Sequence, residues 1–488
     1  MAHAYSMTSK PANNSENLSS APFAWEGTDS LLLGVLAVAA IATRFWRLGY
    51  PEEPVFDEIQ FVGQGLAYLR GEQFLDVHPN LPKILIGIAI KLLGHHSWVW
   101  RTPSAVLGAA LVLITFLLGR EMFRSRTAAT LSAVFVICDG MFLIHSRLAM
   151  LEIFHVTLTA ASYLLLFQFL RIRDPLVARR KILWIGLVSG GALASKLMIP
   201  EIAFLLVSGF VIYGLVSQAQ GDSRIRNRKV AGAIVLLGSA SSIVYLATFM
   251  PNYWLGWWGG AWSLFHYYHE VIWNLGQMAL VTNPFVSPWW SWPLMLRAPL
   301  YWQNTGDGGL IASIWAGGNP VLWWSSLAAL IITMVREFQR PTLARTFMLL
   351  GYFSYMGALA LSTHPFFLYI YMTPVYLQYL MLGAVLAECW SGKSSLWEDV
   401  LLMLSLAPAC LLGLGTAGGI VALLGIVVVY GLASWRFSMA GKSVSVLIVG
   451  ASLAAFVFFF PLWMGWPLSP DSYNGRIWLH GSGVAQWM

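Results

Sequence analysis

Long apolar runs recur along the whole chain, and this repetition constrains the fold more than any other feature. Each run approaches the roughly 20 residues that an α-helix needs to cross the hydrocarbon core of a bilayer. Of the 488 residues, 58% are hydrophobic and only 10% are charged, whereas a soluble domain is typically about 25% charged. The runs are continuous rather than alternating, which disfavours a membrane β-barrel. The sequence therefore predicts an all-α integral membrane protein.

Thirteen runs are candidate membrane spans, although a weak break at 413–419 makes eleven to thirteen helices compatible with the pattern. The candidates are residues 31–46, 103–119, 127–145, 153–170, 183–195, 199–216, 230–250, 320–335, 347–361, 367–387, 400–412, 418–433 and 444–460. The chain divides accordingly into a disordered cytoplasmic tail at 1–29, a membrane module at 30–250 that includes an external loop at 49–102, an external loop at 251–319, membrane helices at 320–464 and an external tail at 465–488.

Basic residues fall into alternate connections between the spans, which predicts the orientation. One set of connections holds clusters of Lys and Arg at 120–126, 171–181, 224–229 and 336–345. In the opposite set, Arg297 is the only basic residue of 251–319, and Arg476 is the only one after 461. Cytoplasmic loops of membrane proteins carry the excess of Lys and Arg. The net charge of +7 is therefore explained by topology, without nucleic-acid binding.

Two external segments are expected to lie at the membrane surface. The amphipathic stretch 81–93, with Lys83 and Lys91, predicts an interfacial helix rather than a span. The loop at 251–319 is rich in aromatic residues, which favour the headgroup level of a bilayer. Its tryptophans include Trp254, Trp257, Trp258, Trp262, Trp289, Trp290 and Trp292.

Ionisable residues gather at the predicted external face, where a charge at membrane depth is costly and is often functional. They occur in four segments: Phe56-Asp57-Glu58, 76–83, 145–152 and Ser195-Lys196. Adjacent carboxylates such as Asp57 and Glu58 suit a general base or a cation ligand. Acidic pairs are also common in solvated loops, so this spacing alone leaves both interpretations open.

The remaining ionisable residues also allow a functional and a structural interpretation. Asp76 and His78 could face a lipid headgroup or serve packing. Arg147 and Glu152 could neutralise each other, and a separation of five residues would place them about 8 Å apart along a helix axis. Lys196 could receive a phosphate, or it could extend its ammonium to the interface as a snorkelling lysine.

The order of these segments resembles the protein O-mannosyltransferase family, whose members use mannose carried on polyprenyl or dolichyl phosphate. Three later segments contribute to the resemblance: Ser287-Pro288-Trp289-Trp290-Ser291-Trp292-Pro293-Leu294, Gly318-Asn319-Pro320-Val321-Leu322-Trp323-Trp324, and Phe366-Phe367-Leu368-Tyr369 with Tyr371-Met372-Thr373-Pro374. The resemblance covers about residues 56–374 and extends less clearly to the tail. Because the chain has no room for the β-trefoil domain of fungal and animal members, it is similar to the compact bacterial type.

Several positions depart from the family pattern. Asn80 stands where a second proline is usual, and Pro82 stands where a glycine precedes the lysine. Glu152 holds a position that usually carries aspartate, and the family's arginine near His364 and Pro365 is missing. These departures leave the expected fold unchanged but put the identity of the donor or acceptor in doubt.

The resemblance implies a GT-C fold, a bundle of about 11–13 transmembrane helices with interfacial helices in the first external loop and an active site at the external interface. It also implies an inverting single displacement in which Asp57 takes the proton of the acceptor hydroxyl, with Glu58 as a second catalytic carboxylate. Lys196 and Arg147 are the expected ligands of the donor phosphate, with Lys83 and His78 as helpers. The residues expected to contact acceptor or sugar are Asp76, Glu152, Trp289, Trp290 and Trp292.

The implied donor substrate is polyprenyl-phosphate mannose, and the implied acceptor is a Ser or Thr hydroxyl of an exported polypeptide. The implied location is a bacterial cytoplasmic (inner) membrane, with the active site facing the periplasm or exterior and with the secretion translocon as an expected partner. No obligatory cofactor or metal is expected. The scattered Cys138, Cys389 and Cys410 likewise indicate neither a disulfide framework nor a zinc site.

Two other functions remain as alternatives. The same fold could transfer another lipid-linked sugar, an aminopentose or a hexose, to lipid A or to a cell-envelope glycan. A transporter or a scaffold without chemistry is less favoured, because transporters place charges near the bilayer midplane between repeated halves. Here the ionisable residues gather at one face instead.

Overall fold

The structure is a computed structural model, and it describes residues 23–74, 76–172, 174–198, 200–205, 208–209, 223–257, 285–362, 366–437 and 439–478. The helices of the first half are α1 (Gly27–Phe45), α2 (Glu58–Arg70), α3 (Leu81–Leu93), α4 (Ser97–Phe123), α5 (Arg126–Cys138), α6 (Gly140–Arg147), α7 (Leu151–Phe169), α8 (Pro175–Ser195), α9 (Ser223–Ala247) and α10 (Met250–Trp254). Those of the second half are α11 (Pro320–Gln339), α12 (Leu343–Ala360), α13 (Met372–Trp390), α14 (Leu396–Leu404), α15 (Ala407–Phe437), α16 (Ala440–Trp463) and α17 (Pro470–Asn474).

Eight described helices are long and apolar enough to cross a membrane, and the bent pair α5 and α6 brings the number to nine. The helices α8 and α12, with 21 and 18 residues, have the length of a span but a more polar composition. The described residues therefore hold eight or nine candidate spans, fewer than the eleven to thirteen predicted. The protein is thus a multi-span helical membrane protein, as predicted.

The helix α13 forms the centre of the bundle, because 94% of the span that contains it is buried. It packs against α5, α11, α12 and α16. The long helix α4 packs against α1, α5 and α7, and α7 packs in turn against α8. The helices α4, α7 and α13 run between the same two faces of the bundle. The residues at their starts therefore lie at one face, and the residues at their ends lie at the opposite face.

The predicted span 127–145 is broken in the structure. A bend of 63° separates α5 from α6 at Asp139, whose side chain accepts a hydrogen bond from the backbone N–H of Phe142 and so caps α6. A second break follows, because Leu148 and Met150 have extended backbone between α6 and α7. The expectation that Arg147 and Glu152 share one helix axis is therefore wrong.

The first external segment contains two helices rather than one. The interfacial helix expected at 81–93 is confirmed as α3, and α2 precedes it. The two pack closely where glycines meet: a Cβ on Gly87 would lie 2.8 Å from the carbonyl oxygen of Gly65. This contact places the residues before α2 and before α3 side by side.

The described part of the loop at 251–319 carries a β-hairpin that the sequence analysis did not predict. The strands β1 (Leu300–Thr305) and β2 (Ile311–Trp315) pair antiparallel, with Gln303 opposite Ser313. The hairpin is tied to the first external segment, because the indole N–H of Trp302 donates to the carboxylate of Glu53 at 2.7 Å. Tyr301, on the opposite face of β1, is buried.

Candidate active site

Asp57 lies directly before α2, next to a group of buried polar residues. Its side chain does not cap the helix; its Oδ2 instead accepts a hydrogen bond from the hydroxyl of Tyr369 at 3.4 Å. Burial raises the pKa of Asp57 to about 6, and the nearby carboxylate of Glu152 adds to the rise, while Lys196 opposes it. A carboxylate with a pKa near neutrality is suited to accept a proton.

An aromatic cluster holds the chain at Asp57. Phe56 has a φ of 52°, an uncommon backbone conformation for a bulky residue. Its ring stacks on Tyr301 with centroids 4.1 Å apart and meets Tyr369 edge to face at 6.2 Å. These contacts stabilise the turn and direct the carboxylates of Asp57 and Glu58 to different partners.

Glu152 and Lys196 form the central ion pair of the site. Glu152 lies in the first turn of α7, and Lys196 directly follows α8. Lys196 Nζ lies 2.7 Å from Glu152 Oε1. The same ammonium lies 5.4 Å from the ring centroid of Tyr369, the side chain that donates to Asp57. The structure therefore brings Asp57, Glu152 and Lys196 into one cluster at one end of the bundle.

His145 and Tyr301 extend this cluster on the side of Glu152. His145 Nδ1 lies 3.4 Å from Glu152 Oε2, and its Nε2 lies 3.0 Å from the hydroxyl of Tyr301. Neither Nδ1 nor Oε2 makes a hydrogen bond within the described residues, so this approach is an ion-pair distance only. His145 thus hydrogen-bonds Tyr301 through Nε2 and lies beside the carboxylate of Glu152 through Nδ1.

A second ion pair joins the first turn of α3 to the segment before it. Lys83 Nζ is 2.5 Å from Asp76 Oδ2 and also donates to the carbonyl oxygen of His78 at 2.7 Å, and Asp76 Oδ1 accepts from the backbone N–H of His78 at 3.1 Å. Burial lowers the pKa of the His78 imidazole to about 4. His78 is therefore neutral at physiological pH and can act on a substrate only as a hydrogen-bonding group.

Asn80 has a structural role at this point. Its amide donates to the carbonyl oxygen of Thr248 at 3.3 Å and to the side chain of Asn252 at 3.4 Å. Tyr68 donates to the same Asn252 oxygen at 2.9 Å. The departure from the family's proline thus connects α2 and the start of α3 to the end of α9 and to α10. Pro82 occupies an early helix position that proline tolerates.

Glu58 faces away from Asp57 into the protein. Arg101 binds both of its oxygens at 2.8 Å, and the backbone N–H groups of Ala149 and Val55 also donate to it. Both side chains of the pair are fully buried. Arg101 donates further to the carbonyls of Leu48, Pro51 and Glu53. Glu58 and Arg101 therefore hold together the loops that carry these backbone groups.

Arg147 is directed to the end of α1 rather than into the cluster. Its guanidinium donates to the carbonyl oxygens of Arg44, Trp46 and Arg47 at 3.0, 2.6 and 3.0 Å. A cation at the C-terminal end of a helix satisfies carbonyl groups that have no partner within the helix. The contacts of Arg147 are those of a helix cap.

The three predicted tryptophans occupy a 3₁₀ turn, Trp289–Leu294. Trp292 is buried, and its indole N–H donates to Ser287 Oγ at 2.9 Å. Trp289 and Trp290 are exposed. Only these two are available to an acceptor or to the bilayer interface. Trp258, Trp262, His364 and Pro365 lie outside the described residues.

Several residues of the cluster were not assigned a role from the sequence. His145 and Tyr369 lie within segments named in the sequence analysis, and Tyr301 follows one of them. A tyrosine in an aromatic-rich segment, however, gives no indication of function by itself. Glu201 was missed altogether. It is fully buried, Thr159 donates to it at 2.6 Å, and Tyr355 donates to the same oxygen. The signal available in the sequence was a carboxylate inside an apolar run, five residues after Lys196, because a charge at membrane depth is often functional.

A metal centre finds no support in the described part of the chain, where no group of three or more His, Cys, Asp or Glu side chains is arranged to hold an ion.

Two family models match the chain. Residues 34–257 match dolichyl-phosphate-mannose-protein mannosyltransferase, and residues 261–482 match the C-terminal four-helix membrane region of protein O-mannosyltransferase. Among curated relatives, the polyprenol-phosphate-mannose–protein mannosyltransferase of Mycobacterium tuberculosis is 24% identical over 390 residues, which cover 66% of this chain and 74% of the relative.

Solved structures with the same fold include two membrane glycosyltransferases. The donor-bound protein O-mannosyltransferase complex of Saccharomyces cerevisiae has a TM-score of 0.74 at 15% identity and covers 95% of both chains. ArnT from Cupriavidus metallidurans, bound to undecaprenyl phosphate, has a TM-score of 0.58 at 14% identity and covers 93% of this chain and 79% of the other. These likenesses confirm the predicted GT-C fold.

Proposed function

Because the chain belongs to the protein O-mannosyltransferase family, we propose that it moves mannose from a polyprenyl-phosphate donor to Ser or Thr hydroxyls of exported polypeptides. The observation that carries this function is the convergence of a proton acceptor and a buried cation: Asp57 and Lys196 both contact Tyr369. Transfer from a phosphate-linked sugar requires these two groups at one point.

The chemistry is a single displacement at C1 of the sugar. The acceptor oxygen forms the new bond to C1 as the bond from C1 to the phosphate oxygen breaks, which inverts the configuration. Asp57 takes the proton of the acceptor hydroxyl, and the electron pair of the broken bond leaves on the phosphate. Its pKa of about 6 leaves Asp57 mostly ionised at neutral pH while retaining useful basicity.

Lys196 is the proposed ligand of the departing phosphate. A cation held in a poorly solvated site stabilises developing negative charge more strongly than it would in water. Glu152 orients this ammonium, and His145, which is itself bonded to Tyr301, lies beside the other oxygen of Glu152. The donor phosphate therefore has to share Lys196 with Glu152 or displace it.

The other predicted site residues divide into two groups. We propose that Lys83, Asp76 and His78 line the site on the side of α3, with Lys83 as a second cation and His78 as a neutral hydrogen-bonding group. Glu58 and Arg147 we propose as positioning residues, in place of their expected direct contacts with substrate, because their polar atoms are already occupied within the protein.

The site faces the exterior in this proposal, and the membrane is a bacterial cytoplasmic membrane. The basic connections lie at the opposite ends of the helices that carry the site, which supports this orientation. An acceptor would then arrive as it emerges from the secretion translocon, and crosslinking in native membranes tests that association.

Transfer of an aminopentose or a hexose to lipid A or to a glycan is less supported, since the likeness to ArnT extends to the fold alone. The discriminating experiment incubates membranes with radiolabelled polyprenyl-phosphate mannose and a Ser/Thr-rich peptide. We expect label on the peptide, and none when its Ser and Thr are replaced by Ala. Label confined to lipid or glycan fractions would reject protein mannosylation.

A further inference from the structure

A cavity of about 590 Å³ lies at the opposite end of the bundle from the candidate active site. It is enclosed by the ends of α4, α7, α11 and α13 and by the starts of α5 and α12. On α7, Glu152 faces the active site, whereas Phe167 lines the cavity 15 residues later. At 1.5 Å per residue the two sites are about 22 Å apart along the helix. The volume falls within the roughly 300–1,000 Å³ of ordinary ligand sites.

The lining combines cations with apolar side chains. Five basic residues take part, together with two carboxylates: Arg124, Arg171, Arg336, Arg345 and Lys393, with Glu121 and Glu388. Phe123, Phe167, Leu170, Met348 and Val385 provide apolar walls. A ligand that satisfies both kinds of wall carries an anionic group next to hydrocarbon.

Ion pairs hold three of the five cations in place. Arg171 pairs with Glu121 at 2.9 Å, and Arg336 is held between Glu388 and Glu398. Arg345 lies 3.4 Å from Glu337. Lys393 is exposed and makes no ion pair within the described residues. The lining itself carries five basic side chains and two carboxylates, so it is positively charged and favours an anion.

Two helix N-termini reinforce this preference. Ser125 and Thr342 cap α5 and α12, and both line the cavity. The N-terminal end of a helix carries a partial positive charge and favours anions. The cavity lies on the side of the bundle that carries the basic connections, where anionic lipids attract Lys and Arg near a membrane surface.

We infer that this cavity binds the phosphoryl headgroup of an anionic phospholipid from the leaflet opposite the active site. A phospholipid headgroup and a soluble phosphate are both anions. The apolar walls of the cavity favour the lipid. The site is independent of the proposed sugar transfer, because no residue of the cavity belongs to the catalytic cluster. A bound headgroup would contact six helices at this face.

The test uses the purified full chain in a neutral detergent. Phosphatidylglycerol, titrated to saturation, should raise the thermal unfolding midpoint by about 3 °C more than phosphatidylcholine with the same acyl chains. The additional shift should shrink as ionic strength rises. Inorganic phosphate at the same concentration should have no effect; an equal shift with phosphate would assign a soluble anion and overturn the lipid assignment.

Variants identify the site. Lys393→Gln, which breaks no ion pair, and Arg171→Gln should each reduce the lipid-dependent shift by at least half. Arg180→Gln, on the same side of the bundle but outside the cavity, should leave it unchanged. Because the readout is the difference between Tm with and without lipid, a loss of basal stability in Arg171→Gln does not obscure it. An undiminished shift in both cavity variants would overturn the inference.

Discussion

The ammonium of Lys196, which we propose binds the donor phosphate, lies 2.7 Å from the carboxylate of Glu152 and is paired with it. Both side chains are buried. A phosphate with its own negative charge can take up Lys196 only by loosening this pair. The pair therefore keeps the cation oriented before the donor binds, and the donor's arrival changes the electrostatics around Asp57.

Replacement of Asp57 by Asn tests the proposed base. The variant should lose about 10²–10⁴-fold in kcat, since proton transfer by a positioned group contributes that much. Membrane insertion and Tm should be nearly unchanged, because the carboxylate makes one weak hydrogen bond. The matched control is Glu52→Gln, an exposed acid of the same segment, which should keep full activity. Wild-type turnover by the Asn variant would remove Asp57 from the mechanism.

The rate should fall as pH drops below about 6. Burial raises the pKa of Asp57 from 3.8 to about 6, so the base becomes protonated and inactive in this range. Glu152 raises this pKa, and the hydrogen bond from Tyr369 lowers it. Residual activity of Glu152→Gln should therefore show its acidic limb at lower pH, and Tyr369→Phe should show it at higher pH. Profiles of kcat/KM measure both, and shifts in one common direction would contradict the assignment.

Removal of the cation tests phosphate stabilisation. Lys196→Ala should lower kcat about 10²–10³-fold, the usual effect of deleting one donor that stabilises developing charge. Lys196→Arg should recover part of the activity, because it restores charge but not the compact ammonium. Lys91→Ala, on the interfacial helix outside the cluster, is the control. If Lys196→Ala altered only the KM of the peptide acceptor, Lys196 would belong to acceptor binding instead.

The buried pair of Glu58 and Arg101 should matter for stability more than for chemistry. Removal of one partner of a buried pair costs about 3–5 kcal/mol, because the other charge stays buried without compensation. Glu58→Gln should therefore lower Tm in detergent strongly, while any remaining activity keeps the wild-type acidic limb. The exposed pair of Arg70 and Glu72 is the control, and Glu72→Gln should leave Tm almost unchanged. A normal Tm with lost activity would make Glu58 a catalytic residue.

The membrane architecture was predictable because it depends on local properties. Runs of apolar residues of spanning length and alternating basic connections are visible in the sequence, as is the amphipathic stretch that forms α3. The break at Asp139 was also visible in principle, since an Asp-Gly pair inside an apolar run can cap a new helix. The bend itself depends on the partners of Asp139, among them Tyr379 and Trp323, which are distant in sequence.

The composition of the site was predictable only in part, for a physical reason. A charge at membrane depth stands out against apolar neighbours, so Asp57, Glu152 and Lys196 could be identified by type. Tyr301 and Tyr369 could not, because their importance comes from the hairpin and the turn before α13 that bring them to His145 and Asp57. The contacts of Arg147 likewise depend on the end of α1, which is about 100 residues away.

His155 offers the last prediction, because it supports Lys196 without contacting it. Its Nδ1 lies 3.2 Å from the carbonyl oxygen of Ala192, the same oxygen that accepts from the backbone N–H of Lys196 at 3.1 Å. Its Nε2 also lies 3.3 Å from the hydroxyl of Tyr355, on the side away from Ala192. The bond to Ala192 contributes about 0.5–1.5 kcal/mol, so its loss in His155→Leu should raise the KM for the donor up to about 10-fold, with the acidic limb unchanged. Ser189→Ala removes a bond between the same two helices farther from Lys196 and should not affect the KM. Equal effects of the two variants on the KM would mean that His155 acts through general packing of α7 on α8. An effect of His155→Leu alone would mean that His155 positions Lys196.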